Sequence, residues 1–229
     1  MMTKPVGRAN DGTGRADGYW LLGSGPAEID PVKMLRIHGY RDLGKVRPVI
    51  RKAADDIAEI AKGLMVPEAH ARRVDVEHYG DQRVVLANGV EFGGIDFEHA
   101  LDGARAVVVV VVTVGRALDD AVITAMDKFE PLDALFLETA GWLGVEWTTK
   151  NFVRDLQKTV KPENMRVTHR RGPGYRYKIG GREMDWPLEQ QRRLFDVFDE
   201  VELPISLLES CVMLPKMSRS GMYGLVSLN

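Results

Sequence analysis

Arg105-Ala106-Val107-Val108-Val109-Val110-Val111-Val112-Thr113 is the stretch from which the fold can be read. Side chains branched at Cβ at this density favour an extended backbone, and apolarity on both faces predicts a strand covered on both sides, at the centre of a sheet. The apolar run from Ala106 is about half the length that a membrane-spanning helix requires. Gly115 closes the strand. From Arg116 to Glu130 helical spacing returns through Leu118, Ala121, Val122, Ala125, Met126 and Phe129, and a second helix is predicted from about Leu132 to Leu156, with Gly141 and Gly144 permitting close packing.

Upstream, Val74, Val76, Val84, Val85 and Leu86 are broken by Tyr79-Gly80-Asp81 and Asn88-Gly89, the pattern of short strands joined by tight turns. Val46 to Gly63 repeats apolar residues at helical period, and Asp30-Pro31 opens a further helix ending at Gly39-Tyr40. Downstream, Asp185 reads as a helix cap with Pro187 in the first turn of a helix reaching Glu200, while Ile205 to Met213 and Gly221 to Ser227 read as two last strands. The expected architecture is α+β: a twisted, mostly antiparallel sheet with flanking helices over residues 29–229. Residues 1–28, rich in Gly, Asp and Arg and interrupted by Tyr19-Trp20-Leu21-Leu22, read as a flexible arm.

Composition narrows the function. A net charge of −2 provides no global field for nucleic acid or an anionic membrane. A single cysteine, Cys211, excludes an internal disulfide framework and a cysteine-rich metal site, and fits a reducing cytoplasm. The polar, glycine-rich N-terminus does not read as a signal peptide. His38, His70, His78, His99 and His169 are scattered, and no Walker loop is present, so neither a metal site nor a catalytic group is assigned.

Three segments of the second half could carry chemistry. In Arg170-Arg171-Gly172-Pro173-Gly174-Tyr175, Pro173 fixes one torsion and Gly174 permits a positive φ, so a sharp turn exposes backbone donors and sets an arginine and a tyrosine at its ends. Arginine can grip a carboxylate through two parallel hydrogen bonds. Glu138 and Glu146, about 2.2 helical turns apart, point roughly the same way from a helix rich in small residues. In the third, Glu209 to Gly224, a strand enters a loop of small, polar and basic residues and leaves through Gly221-Met222-Tyr223-Gly224. Each alone also reads as an ordinary surface turn, a solvated helix edge or a crossover loop.

Together these segments resemble the activation domain of cobalamin-dependent methionine synthase. The family's Arg-x-x-x-Gly-Tyr signature falls on Arg170, Gly174 and Tyr175, and the helix pattern places Glu146 on its ligand-contacting glutamate. Trp186-Pro187-Leu188-Glu189-Gln190-Gln191 is similar to the helix of free-standing members. Glu209, Met213, Pro215, Lys216, Ser218, Ser220 and Gly221 match the closing loop and strand, with Tyr223, followed by Gly224, on a ligand-contacting tyrosine. Val111 to Gly115 is similar to the strand-to-helix junction, and Met34 to Tyr40 to the opening. The chain departs from the family in a basic insert, Arg176 to Asp185, and in Arg219, which stands where the family usually has a small or aliphatic residue.

The resemblance implies a protein that binds S-adenosylmethionine and helps to reactivate a cobalamin methyltransferase, without completing the chemistry alone. An electron from flavodoxin or a similar low-potential donor restores cob(I)alamin, and methyl transfer from S-adenosylmethionine traps it as methylcobalamin. The Asp-x-His-x-x-Gly pattern of many corrinoid modules is missing, so cobalamin is expected on a partner, most simply the corrinoid-binding subunit of a split methionine synthase serving methionine biosynthesis. A demethylase or other corrinoid methyltransferase is the alternative partner. The implied contacts are Arg170 to the methionyl carboxylate and Glu146 to the positive end of the ligand or its amine. Tyr175 and the backbone of Gly172 to Gly174 would border adenine or ribose, Tyr223 would close the pocket, and Arg171 and Gly224 count among the binding residues. In a different class, Arg170, Arg171, Arg176, Lys178 and Arg182 among two tyrosines have the composition of a nucleic-acid contact, against which the near-neutral total charge stands. The basic insert equally suits an acidic flavodoxin or the corrinoid protein.

Overall fold

The computed structural model describes residues 18–23 and 25–228. Its centre is the valine run. Ala106–Thr113 forms strand β5, buried at every position, and its side chains alternate between two cores. Val107, Val109 and Val111 join Phe92, Phe97, Trp186 and Met222 on one face. Val108, Val110 and Val112 join Phe152, Leu156 and Tyr223 on the other.

The sheet grows outward from β5 in both directions. Tyr19–Gly23 (β1), Glu68–Gly80 (β2), Arg83–Leu86 (β3) and Glu91–Gly93 (β4) precede it in the chain, and Met165–Val167 (β6) and Ser218–Ser227 follow. The last strand pairs with β5 from Ser218↔Thr113 to Leu225↔Ala106, and β2 pairs with β5 on the opposite side. Every pairing among the seven strands of this sheet is antiparallel. Of the segment read as an arm, residues 1–17 and 24 lie outside the described residues, whereas Tyr19–Gly23 pairs in register with Glu68–Arg72.

Most of the helical mass lies on the Val108 face and at its end, while short helical turns join the Val107 face. Pro31–Ile37 (α1) starts where expected, with the Asp30 carboxylate accepting from the Val32 N–H at 2.8 Å. Pro48–Leu64 (α2), the short turn Phe97–Ala100 (α3), Ala117–Asp127 (α4) and Pro131–Val160 (α5) follow. The long helix α5 packs on β5 at one end and on α1, α2 and α4 at the other, where a separate apolar cluster includes Met34, Ile57, Leu118, Phe136 and Leu143. Gly141 and Gly144 are the closest points of that packing. A Cβ at Gly141 would lie 2.6 Å from Leu118 Cδ2, and one at Gly144 2.6 Å from Met65 Sδ.

Four expectations need correction. Asp185 is not a helix cap: it lies within a strand, Arg182–Trp186 (β8), that pairs with Tyr175–Ile179 (β7) to make a hairpin of the basic insert. Gly180 and Gly181, both at positive φ, form its two-residue turn, the geometry that matches strand twist. The helix after Pro187 is correspondingly short, Gln191–Asp196 (α6). The strand expected over Ile205 to Met213 is two paired dipeptides, Ser206–Leu207 (β9) and Met213–Leu214 (β10), with a loop between them, and the last strand (β11) begins at Ser218 rather than Gly221.

Candidate functional site

The sequence turn after β6 does what proline and glycine dictate, and then is stitched down. Arg171 bridges Met222 of β11 through two backbone hydrogen bonds, and the Gly174 N–H donates to the Trp186 carbonyl at 2.7 Å. The Tyr177 hydroxyl accepts from the Gly172 N–H at 2.7 Å and donates to the Gly172 carbonyl at 3.0 Å. The backbone donors that the sequence suggested for a ligand are therefore used within the fold. What the turn presents instead is side chains.

Arg170 is the best held of these. Its Nη1 donates to the Ser220 carbonyl at 2.5 Å, and its guanidinium carbon lies 5.3 Å from the centre of the Tyr175 ring. Two glycines make room for it: a Cβ on Gly172 would be 2.5 Å from Arg170 Nη1, and one on Gly221 would be 2.7 Å from Arg170 Cγ. Arg170, Pro173, Gly174 and Tyr175 form one wall of a hollow of about 490 Å³. Trp142 and Val145 of α5 form another, and Cys211 to Met213 with Lys216 to Ser220 close it. The volume falls in the range of small-molecule sites.

A second hollow of about 480 Å³ adjoins the first, sharing Trp142 and Arg219 with it and holding Glu146. Glu146 accepts an ion pair from Lys150 at 2.6 Å and another from Lys33 at 3.6 Å. The hydrogen bond from Lys150 is the main reason its carboxyl lies below the ordinary value of 4.5; burial opposes the shift and the Lys33 charge adds to it. A depressed carboxyl stabilises the fold above its unfolded pKa, and that contribution is lost as pH falls through the folded value. Glu146→Gln is thus expected to lower unfolding free energy by about 0.5 kcal/mol at pH 7, as partly exposed ion pairs do, and to have a smaller effect at pH 3. Urea unfolding at the two pH values checks this; an equal difference at both would contradict it.

The remaining sequence-nominated residues do not line either hollow. Arg171 turns away, its Nε donating to the Ala100 carbonyl at 3.2 Å and its guanidinium lying over Tyr177. Tyr223 does not close the pocket: it is buried in the core, with its ring centre 6.0 Å from that of Phe152. Burial pushes its phenol up to about 12, against the pull of Arg170 and Arg219. Gly224 packs on Ala104; its carbonyl accepts from the Thr168 N–H at 3.0 Å, and its own N–H donates to the Thr168 hydroxyl at 2.8 Å. Glu138 forms an ion pair with Lys216. Trp142, half exposed on both hollows, was missed; its spacing of four from Glu138 and from Glu146 puts it on their helix face and could have found it.

The insert is a partly neutralised hairpin rather than a basic strip, because Arg176 pairs with Asp185 at 2.8 Å and Glu183 at 3.9 Å. Among the described residues no helix is long and apolar enough to cross a membrane.

Fold and site thus define an α+β domain with an arginine-walled hollow between a long helix, a glycine turn and the last strand of an antiparallel sheet. The same fold occurs in a crystal structure of the MetH reactivation domain bound to AdoHcy, with a TM-score of 0.65 and 12% identity, covering 90% of this chain and 78% of that chain. No protein-family model matches the chain, and no curated protein matches it in sequence.

Proposed function

We propose that the hollow binds S-adenosylmethionine and its product S-adenosylhomocysteine (AdoHcy), and that the chain reactivates a cobalamin-dependent methyltransferase carried on another polypeptide, a split methionine synthase first among these. One observation carries the reading. The Arg-x-x-x-Gly-Tyr turn sets Arg170, Gly174 and Tyr175 on one wall of a ligand-sized hollow, and does so on a fold shared with a reactivation domain bound to AdoHcy.

The residues present suit such a ligand. Arg170 offers its guanidinium to the methionyl carboxylate. Trp142 and Tyr175 are 49% and 52% exposed, and give flat aromatic faces to adenine. Val145, Met213 and Met217 supply an apolar, polarisable wall for the chain around sulfur. Glu146 stands in the adjoining hollow, its charge already shared between two lysines, and its part is to tune the field at the sulfonium rather than to touch it. When bound, S-adenosylmethionine supplies the methyl group for reduced cobalt on the partner. The chain's own work is proximity: it holds the ligand in one orientation at a surface that a corrinoid protein can cover. A flavodoxin-like or other low-potential donor supplies the electron.

Isothermal calorimetry with AdoHcy tests the binding step, with S-adenosylmethionine in competition. Saturable heat is expected, and silence at millimolar ligand overturns the reading. The reactivation step is tested by mixing the chain with a cob(II)alamin-loaded partner, a low-potential reductant and S-adenosylmethionine. The methylcobalamin spectrum should grow only when all four are present.

A further inference from the structure

Arg219 is the side chain that the carboxylate assignment to Arg170 leaves unused. It sits on β11 opposite Val112, half-buried, in the wall shared by the two hollows. Other arginines of the chain meet carboxylates: Arg73 with Glu163, Arg83 with Glu91, Arg166 with Asp102 and Arg176 with Asp185. Among the described residues the Arg219 side chain has neither a hydrogen-bond partner nor an ion-pair partner. Burial first, and the charge of Arg170 second, make its protonated form less favourable than usual. Glu146 acts on it only from a distance, being held by Lys150 and Lys33.

Two guanidiniums that repel each other in a half-buried wall, with no carboxylate between them, are an arrangement that an anion stabilises. A carboxylate has about four lone-pair positions, enough to accept from both arginines at once. We propose that Arg219 is a second anion-gripping residue, which with Arg170 clamps the ligand's carboxylate and makes the hollow selective for ligands that carry one. This rests on the S-adenosylmethionine reading of the site and deepens it, because a side chain outside the family signature becomes a determinant of which adenosyl compounds bind.

The test titrates AdoHcy and decarboxylated AdoHcy, which keeps the amine and the nucleoside, into the wild type, Arg219→Leu and Arg219→Lys. Wild type should prefer AdoHcy at least tenfold. Arg219→Leu should weaken AdoHcy by roughly tenfold, the effect of losing a charge-assisted hydrogen bond, and leave the decarboxylated compound unchanged. Arg219→Lys, keeping charge but losing the fork, should fall between. Unfolding curves of the variants show whether the strand is intact. If Arg219→Leu leaves both affinities alone, or lowers both equally, the clamp is wrong while the binding reading stands. If neither adenosyl compound binds wild type, the binding reading fails and inorganic phosphate decides the rest: thermal stabilisation by phosphate that vanishes in Arg219→Leu keeps the arginine pair as an anion site, and its absence overturns that too.

Discussion

Arg170→Ala is expected to weaken AdoHcy binding by about a hundredfold. The figure follows from two charge-assisted hydrogen bonds to one carboxylate, together about 2.7 kcal/mol. It exceeds the tenfold expected at Arg219 because Arg170 is already fixed. Its Nη1 is tied to the Ser220 carbonyl, its plane rests on Tyr175, and the missing Cβ atoms of Gly172 and Gly221 leave one channel for its stem. Little rotamer entropy is therefore lost when the ligand arrives. Arg170→Lys should retain attraction without the fork and lose roughly tenfold. The alanine variant also empties the channel, so its unfolding midpoint must be measured beside the titration. Unchanged affinity in a folded Arg170→Ala protein removes the carboxylate from this arginine.

How much of this could be read beforehand depended on whether the deciding physics was local. Six consecutive valines admit one explanation, and β5 lies where they put it, with its two faces divided between two cores. Helices with a clear apolar period were likewise found to within a few residues. The hairpin β7–β8 was not found, although Gly180-Gly181 between two alternating pentapeptides is the usual local signal for one. Asp185 and Pro187 imitated a helix start, and only the pairing of β8 with β7 shows otherwise. Within the site, the turn was legible and its use was not. Whether the Gly172 and Gly174 N–H groups face a ligand depends on Tyr177 and Trp186, which reach them only once the hairpin has closed. Tyr223 illustrates the same limit. Strand alternation places it on the α5 face of β11, but whether that face is pocket or core is decided by Phe152, 71 positions earlier in the chain.

Trp186→Ala is expected to be the most damaging substitution to stability, at about 4 kcal/mol. The indole is 1% exposed and meets Phe97 edge-on at 5.2 Å and Phe92 at 5.9 Å, so its loss empties the middle of the larger core. For a chain of this length the thermal midpoint should fall by roughly 10 °C. The position also joins fold to site. Trp186 pairs with Tyr175 and its carbonyl receives the Gly174 N–H, so the ring anchors the hairpin end that shapes the ligand turn. Loosening the anchor should weaken AdoHcy binding several-fold, measured at a temperature where the variant is folded. Trp186→Phe separates the causes. Among the described residues the buried indole Nε1–H has no hydrogen-bond partner, an arrangement that costs about 1–3 kcal/mol. Phenylalanine removes that donor while keeping an aromatic edge toward Phe92 and Phe97, so the gain offsets part of the lost volume. Its stability should lie within about 1.5 kcal/mol of wild type, with ligand affinity unchanged. If Trp186→Ala melts at the wild-type temperature, the hairpin is not seated in the core and cannot be what positions the turn.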